Sequence, residues 1–151
     1  MIYSAGIIPF RFNEEGKIEF FLGHPGGEAW KKKNYWAYLK GGVEKDEDWL
    51  TAARREFEEE CGVSLKEYNV SDFFPLGLTQ QNKNKVVIAY ALWLNDKNID
   101  PSKCFSNMCE DNVTPEIDKY GWFDFDTVMK VTNKAHCVFY ERIMSIFKRF
   151  G

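Results

Sequence analysis

The sequence has no apolar run that approaches the length of a membrane-spanning helix, which predicts a protein without a helical membrane anchor. Its first residues, MIYSAGIIPFRF, lack the basic segment and the sustained apolar stretch of a secretory signal, so we expect them to form a strand. The sequence also has no excess of basic residues, with 20 Lys and Arg against 23 Asp and Glu. The net charge of −3 gives no general attraction to nucleic acid, so an RNA or DNA partner is not expected.

Cysteine and histidine are scarce, with four and two residues respectively. The cysteines form no paired CxxC motif, and no histidine stands at ligand spacing from them, which argues against a structural zinc site. We expect free thiols in a reducing compartment, and hence a cytoplasmic protein. No repeat, low-complexity tract or linker divides the chain, and 151 residues suit one domain, so we predict a single domain over residues 1–151.

Hydrophobic periodicity and turn residues predict a mixed order of strands and helices. We expect strands at 4–12, 17–23, 35–39, 73–80, 86–94 and 120–123, and helices at 48–61 and 135–147. Lys40-Gly41-Gly42 is expected to end the third strand, and residues 95–115 are expected to form a long loop. Asp46 or Asp48 is expected to cap the first helix, and Gly62 to end it. This order predicts the mixed α/β or α+β class.

The segment GGVEKDEDWLTAARREFEEECGV, from Gly41 to Val63, carries an unusual density of glutamates. Like charges three and four residues apart on a helix cost roughly 0.2–0.5 kcal/mol per pair, so a divalent cation is the natural relief. Glu56, Glu59 and Glu60 are spaced to project from one helix face, and hard carboxylate oxygens suit Mg²⁺ or Mn²⁺. Taken without the surrounding residues, the same run is more typical of a solvated helix face.

The spacing of the segment decides between these two interpretations. It follows G-x5-E-x7-R-E-U-x-E-E-x-G-U, where U is a bulky apolar residue, and chance agreement is on the order of less than one in a million per starting position. The specified positions are Gly41, Glu47, Arg55, Glu56, Phe57, Glu59, Glu60, Gly62 and Val63. This pattern is the Nudix box, and the chain resembles a Nudix hydrolase. The segment Trp36-x-x-x-Lys40-Gly41 resembles the dinucleoside polyphosphate branch, although Leu39 stands where proline is common and Asp46 where glycine is common.

The resemblance implies an α/β/α sandwich with a mixed central sheet, and Mg²⁺-dependent hydrolysis of a nucleoside diphosphate linked to another group. Mn²⁺ is an alternative metal, and a diadenosine polyphosphate is a candidate substrate. Glu47, Arg55, Glu56 and Glu59 would form the catalytic set. Metal ligands would come from Gly41, through its carbonyl, and from Glu56, Glu59, Glu60 and a later acid. Glu116 is the first choice for that acid, with Glu110 and Asp111 as rivals.

Substrate contacts are predicted less sharply than the metal site. Lys40 adjoins the box and is the best candidate for a phosphate contact, with Trp36 and Lys33 as further candidates. The run from Lys31 to Lys33, beside Trp30 and Tyr35, could also contact phosphates and a base. The alternative, a solvated lysine run beside core aromatic residues, is favoured for that run. A small-molecule nucleotide is the expected partner, and oligomeric state is not readable from the sequence.

Three other functions are compatible with such a fold. A non-catalytic nucleotide-sensing domain is the main alternative, but such domains typically lose box glutamates, and Glu56, Glu59 and Glu60 are intact. An isomerase of the isopentenyl diphosphate type is disfavoured, because no cysteine precedes Cys61. Hydrolysis of capped RNA is disfavoured by the net charge.

Overall fold

The computed structural model describes residues 1–95 and 97–147. Residues 96 and 148–151 of the predicted domain lie outside this range. The strands are β1 (Ile2–Phe12), β2 (Ile18–Pro25), β3 (Leu39–Gly42), β4 (Phe73–Asn82), β5 (Lys85–Trp93) and β6 (Ile117–Asp124). The α-helices are α1 (Trp49–Cys61), α2 (Phe125–Val131) and α3 (Cys137–Phe147), and single 3-10 turns occur at Val70–Asp72, Pro101–Lys103 and Lys134–His136.

The strands form one mixed sheet in the order β4-β5-β1-β2-β6, with β3 paired to β1. β1 runs parallel to β5 and antiparallel to β2 and β3. Seven consecutive β1 residues, from Ser4 to Phe10, are buried, as expected for a strand covered on both faces. The predicted mixed class is confirmed, and none of the described helices is long and apolar enough to span a membrane.

Two hydrophobic cores lie on opposite faces of the sheet. Ala5 and Ile7 of β1 pack with Phe57 of α1 on one face. Ile8 and Phe10 pack on the other face, with residues of α2 and α3 such as Val128, Phe139, Tyr140 and Ile143. Successive side chains of a strand point to opposite sides, so β1 contributes to both cores. The predicted sandwich of helices around a mixed sheet is therefore the observed architecture.

The predicted third strand was wrong in its position. Lys40, Gly41 and Gly42 do not end it but form β3 with Leu39, paired to the β1 segment from Ser4 to Ile7. Glycine permits this close pairing, because a Cβ at Gly6 would overlap the carbonyl oxygen of Leu39. The shift matters for the site, since it places the start of the Nudix box on a sheet strand instead of in a loop.

Candidate active site

The helix α1 presents the clustered glutamates in a fixed register. Asp48 caps its first turn by accepting from the Thr51 amide at 3.2 Å, and Gly62 ends it with a left-handed φ of 75°. Both ends were predicted from the sequence. Along the helix, Glu60 is buried with 5% of its surface exposed, whereas the Glu59 side chain is 43% exposed. The carboxylate face therefore runs from the protein interior to solvent within one turn.

Arg55 gathers the carboxylates around one guanidinium group. Its Nε and Nη2 donate to the two oxygens of Glu47, each at 2.9 Å, and Nη1 donates to Glu56 at 2.9 Å. The Glu59 oxygens lie 3.5 Å from the same Nη1, and Nη2 also donates to the Gly42 carbonyl at 3.0 Å. One cation thus connects the loop before α1, the strand β3 and two turns of the acidic face.

The β3 backbone lies directly against the acidic face at Gly41. A Cβ at this position would overlap the carboxyl group of Glu56, whereas a Cβ at Gly42 would meet nothing within 4 Å. Only a residue without a side chain allows Glu56 to occupy this place. The two glycines of the motif therefore have different structural roles.

Burial and crowding disturb the pKa values of the acidic face. Burial raises the pKa of Glu60 to about 8, against the opposing charge of Lys40, and burial also raises the pKa of Glu56. Burial lowers the pKa of Lys40 to about 8, with Lys85 adding to the effect. The hydrogen bonds from Arg55 instead lower the pKa of Glu47 to about 2. Carboxylates that resist ionisation beside one another form a site in which a divalent cation would be stabilising.

A cavity of about 310 Å³ opens beside Glu60. Three predicted site residues line it: Lys40, Glu60 and Glu116. Glu116 immediately precedes β6, and burial and the charge of Glu59 raise its pKa. Its charge also raises the pKa of Glu56 and Glu60, so residues distant in sequence belong to one electrostatic cluster.

Trp36 and Lys33 do not line this cavity. Trp36 packs against Phe123, with ring centroids 4.7 Å apart, and against His24 at 5.3 Å. The Lys33 carbonyl accepts from His24 Nε2 at 2.7 Å, and Lys33 Nζ lies 5.2 Å from the centroid of the Trp30 ring. Their roles in substrate binding stay predictions.

Several lining residues were not among the predicted site residues. Trp30 and Tyr35 form an aromatic pair with centroids 4.8 Å apart. The sequence offers these two residues as a possible base-stacking pair, but core packing is the favoured interpretation. For Gln81, the sequence predicts a β4–β5 hairpin tip that could border the site, although ordinary turn chemistry is the favoured interpretation. Lys85 and Asn133 give no local signal, because the hairpin and the segment before α3 bring them to the cavity only in the folded chain.

The residues present fit a divalent metal by their chemistry. Among the described residues, no three His, Cys, Asp or Glu side chains already converge closely enough to hold an ion. The hydrogen bonds of Arg55 account for part of this, because they engage oxygens of Glu56 and Glu59. Carboxylate oxygens at Glu56, Glu59 and Glu60 are nevertheless the donor type that Mg²⁺ prefers.

Comparison with known families identifies the class. The family model of the NUDIX domain matches residues 3–143, so the chain belongs to the Nudix family of hydrolases. An Ap4A hydrolase of C. elegans, solved as a binary complex, superposes with a TM-score of 0.71 at 22% identity over the full length of both chains. The NUDIX domain of Shewanella oneidensis NrtR, solved with ADP ribose, gives 0.64 at 11% identity, over 100% of this chain and 89% of that one. These similarities establish the fold.

Curated relatives match over shorter shares of their own length. The mRNA-decapping enzyme subunit 2 of Saccharomyces cerevisiae is 29% identical over 105 residues, which is 70% of this chain and 10% of that protein. The RNA pyrophosphohydrolase of Pelagibacter ubique is 56% identical over 32 residues, which is 21% of this chain and 20% of that protein. The chain thus spans a tenth to a fifth of the length of these relatives.

Proposed function

We propose that this Nudix protein is a Mg²⁺-dependent pyrophosphohydrolase that cleaves a nucleoside diphosphate linked to another group. The observation that carries the proposal is the electrostatic cluster of Glu56, Glu60 and Glu116 beside a cavity that also exposes Lys40. Acidic ligands for a metal and a basic group for phosphate face the same space. A pyrophosphate bridge is polyanionic, so its cleavage needs both.

The metal would be held by Glu56, Glu59 and Glu60, with the Gly41 carbonyl and Glu116 as further ligands. When bound, Mg²⁺ or Mn²⁺ neutralises the phosphate charge and lowers the pKa of a bound water. Burial raises the pKa of Glu60 because it disfavours the ionised carboxylate. A cation bound beside Glu60 would offset this cost, so the site favours cation binding.

Arg55 and Glu47 would act on the geometry of this set. The guanidinium is held at two points by Glu47, so it fixes the orientation of the Glu56 carboxylate to which it also donates. Positioning of this kind is most of what phosphoryl transfer requires from a protein. Glu116 has a raised pKa and lines the cavity, so it is also suited to accept a proton from an attacking water.

The substrate would lie in the cavity lined by Lys40 and the Trp30–Tyr35 pair. Lys40 and Lys85 would contact phosphate oxygens, and the aromatic pair offers faces on which a base can stack. Diadenosine polyphosphates are candidate substrates, as the name of the C. elegans neighbour suggests. The names of the yeast and Pelagibacter relatives, an mRNA-decapping enzyme subunit and an RNA pyrophosphohydrolase, make capped RNA and RNA with a phosphate anhydride necessary members of any test.

A substrate panel tests the proposal. The protein is incubated with Mg²⁺, and separately with Mn²⁺, and each of diadenosine polyphosphates, nucleotide sugars, ADP-ribose, NADH, coenzyme A, nucleoside triphosphates, and capped and triphosphorylated RNA. We expect at least one compound to be cleaved at its pyrophosphate linkage in a metal-dependent reaction. Product masses then identify the bond. Absence of cleavage across the panel, with measurable nucleotide binding, would favour the alternative of a nucleotide-sensing domain.

A further inference from the structure

Gln81 lies at a shift of register between β4 and β5, which sets the direction of its side chain. Gln80 faces Val86 and Asn82 faces Lys85, so Gln81 is an extra residue without a partner across the ladder. Bulges of this kind redirect a side chain and are common beside active sites. Here the Oε1 of Gln81 lies 2.7 Å from Nε2 of His136, and the same side chain lines the proposed substrate cavity.

The hydrogen-bonding direction between the two residues follows from the burial of His136. The ring is fully buried, and burial with the nearby charges of Lys40 and Lys85 lowers its pKa to about 2, so it is neutral and carries one proton. Its Nδ1 has no hydrogen-bond partner in the described part of the chain. Buried N–H groups without an acceptor are rarer than unfilled lone pairs, which assigns the proton to Nε2. His136 is therefore the donor, and Gln81 Oε1 accepts.

Because this bond uses the Gln81 oxygen, the amide N–H groups of the same side chain stay available to a ligand in the cavity. Within residues 1–95 and 97–147, that nitrogen has no acceptor. Asn133, which also lines the cavity, has its own Oδ1 engaged by the Ala135 amide at 2.8 Å. The carbonyl oxygens of both side-chain amides are thus occupied. The Asn133 side chain also hydrogen-bonds to Tyr35, so the N–H donor that remains for a ligand is that of Gln81.

We propose that His136 is a positioning residue that fixes Gln81 as a hydrogen-bond donor to the substrate's base. Where this N–H meets the 6-position of a purine, the cavity would prefer hypoxanthine or guanine, whose exocyclic oxygen accepts, over adenine, whose exocyclic amino group does not. Diadenosine polyphosphates would then bind less tightly than their inosine or guanosine counterparts. The inference rests on the proposed function, since it places the base in the same cavity against Trp30 and Tyr35. At about 310 Å³ the cavity is at the small end of ligand pockets, so its wall would contact the base directly.

Binding of IMP and AMP tests this inference without requiring turnover. The two nucleotides differ at the exocyclic group and at the ring nitrogen beside it, and both affinities are measured by calorimetry in the presence of Mg²⁺. We expect IMP to bind about five- to tenfold more tightly, as one net hydrogen bond would provide. Gln81→Met should bring the ratio close to one, while Gln80→Met, an exposed neighbour outside the cavity, should keep it.

His136 is tested by the same ratio. His136→Leu removes the donor and should bring the IMP-to-AMP ratio close to one, whereas His136→Gln places an N–H at a similar reach and should restore the preference. The Tm of each variant reports folding. A merely structural role for His136 would weaken both nucleotides together and leave the ratio unchanged, which would overturn the positioning role.

Equal binding of IMP and AMP by the wild-type protein, tighter binding of AMP, or no binding of either would overturn the base preference. An unchanged ratio in Gln81→Met would do the same. Failure of the hydrolase proposal is a separate result. A protein that discriminates IMP from AMP but cleaves nothing would still have the base preference that we assign to Gln81. Cleavage without discrimination would leave the hydrolase and remove the role of Gln81.

Discussion

The Arg55 guanidinium and the Glu47 carboxylate form a two-point pair, with Nε–Oε2 and Nη2–Oε1 both at 2.9 Å. Glu47 lies in the loop before α1 and Arg55 lies within the helix, so the pair ties the loop to the acidic face. The third nitrogen of the same guanidinium reaches Glu56. Orientation of the glutamates therefore depends on a planar fork and not only on a positive charge.

Arg55→Lys should separate these two properties, since lysine keeps the charge but lacks the fork. For the substrate that the panel identifies, we expect kcat to fall by roughly two orders of magnitude, because small displacements of positioned catalytic groups have effects of this size. Steady-state kinetics measures this. Arg54→Lys is the matched control, because Arg54 donates to the carbonyls of Leu65 and Tyr68 and contacts none of the glutamates named here. Similar losses in both variants would remove the special role of Arg55.

Gly41→Ala and Gly42→Ala form a second matched pair. A methyl group at Gly41 would overlap the Glu56 carboxyl, so we expect the side chain to be displaced, with about tenfold or greater loss of Mg²⁺ affinity. At Gly42 the space is open, and Mg²⁺ affinity should stay near the wild-type value. Titration of Mg²⁺ by calorimetry compares the two. Equal affinities would show that Glu56 does not depend on the approach of β3.

The sequence predicts best what depends on neighbouring residues. Asp48 and Gly62 bound the helix as expected, because capping depends on a few consecutive residues. The predicted strand before the box was misplaced, because Gly41 and Gly42 signal a break locally but are extended where they pair with Ala5 and Ser4 of β1. A glycine's effect depends on what approaches it, and this information is absent from the segment itself.

Contacts within the site show the same division. Helical spacing predicts that Arg55 reaches Glu59, and it does so at 3.5 Å, yet its shorter bonds go to Glu47 and Glu56. The bond between Gln81 and His136 joins residues 55 positions apart, and no periodicity indicates it. The family motif locates the acidic cluster, whereas residues that would read the substrate come together only through the fold.

The neutral state of His136 should make stability depend on pH. Its pKa is lowered to about 2 in the folded protein and is near 6.5 when unfolded, so the unfolded state binds more protons below pH 6.5. Stability from this group is complete above that pH and is lost as pH falls, by about 1.4 kcal/mol per unit.

Denaturant unfolding at pH 7.5, 6.0 and 5.0 measures this dependence for wild type and His136→Gln, which cannot titrate. Other groups titrate equally in both proteins, so the difference between the two curves isolates the histidine. We expect the wild-type protein to lose about 2 kcal/mol more than the variant between pH 7.5 and 5.0. Parallel curves would contradict the account of His136.

Asp46 adopts a left-handed φ of 64° at an exposed turn, the position at which the family resemblance leads us to expect glycine. Left-handed backbone costs L-residues roughly 1–2 kcal/mol, less for Asp, and costs glycine little. We expect Asp46→Gly to raise the free energy of unfolding by about 0.5 kcal/mol and Asp46→Ala to lower it by about 1 kcal/mol. Chemical denaturation gives the order, and a more stable alanine variant would be inconsistent with strain at this position.

The acidic face of α1 is proposed to hold a metal for pyrophosphate cleavage, and a comparison of Glu59→Gln with Glu58→Gln tests this most directly. Both glutamates are exposed neighbours on one helix, but only Glu59 contacts Arg55 and belongs to the proposed ligand set. With the cleaved substrate and saturating Mg²⁺, single-turnover rates should fall by orders of magnitude in Glu59→Gln and stay near wild type in Glu58→Gln. Nucleotide binding should persist in both, and EDTA should abolish wild-type cleavage. Unchanged turnover in Glu59→Gln, or cleavage that survives EDTA, would contradict the account.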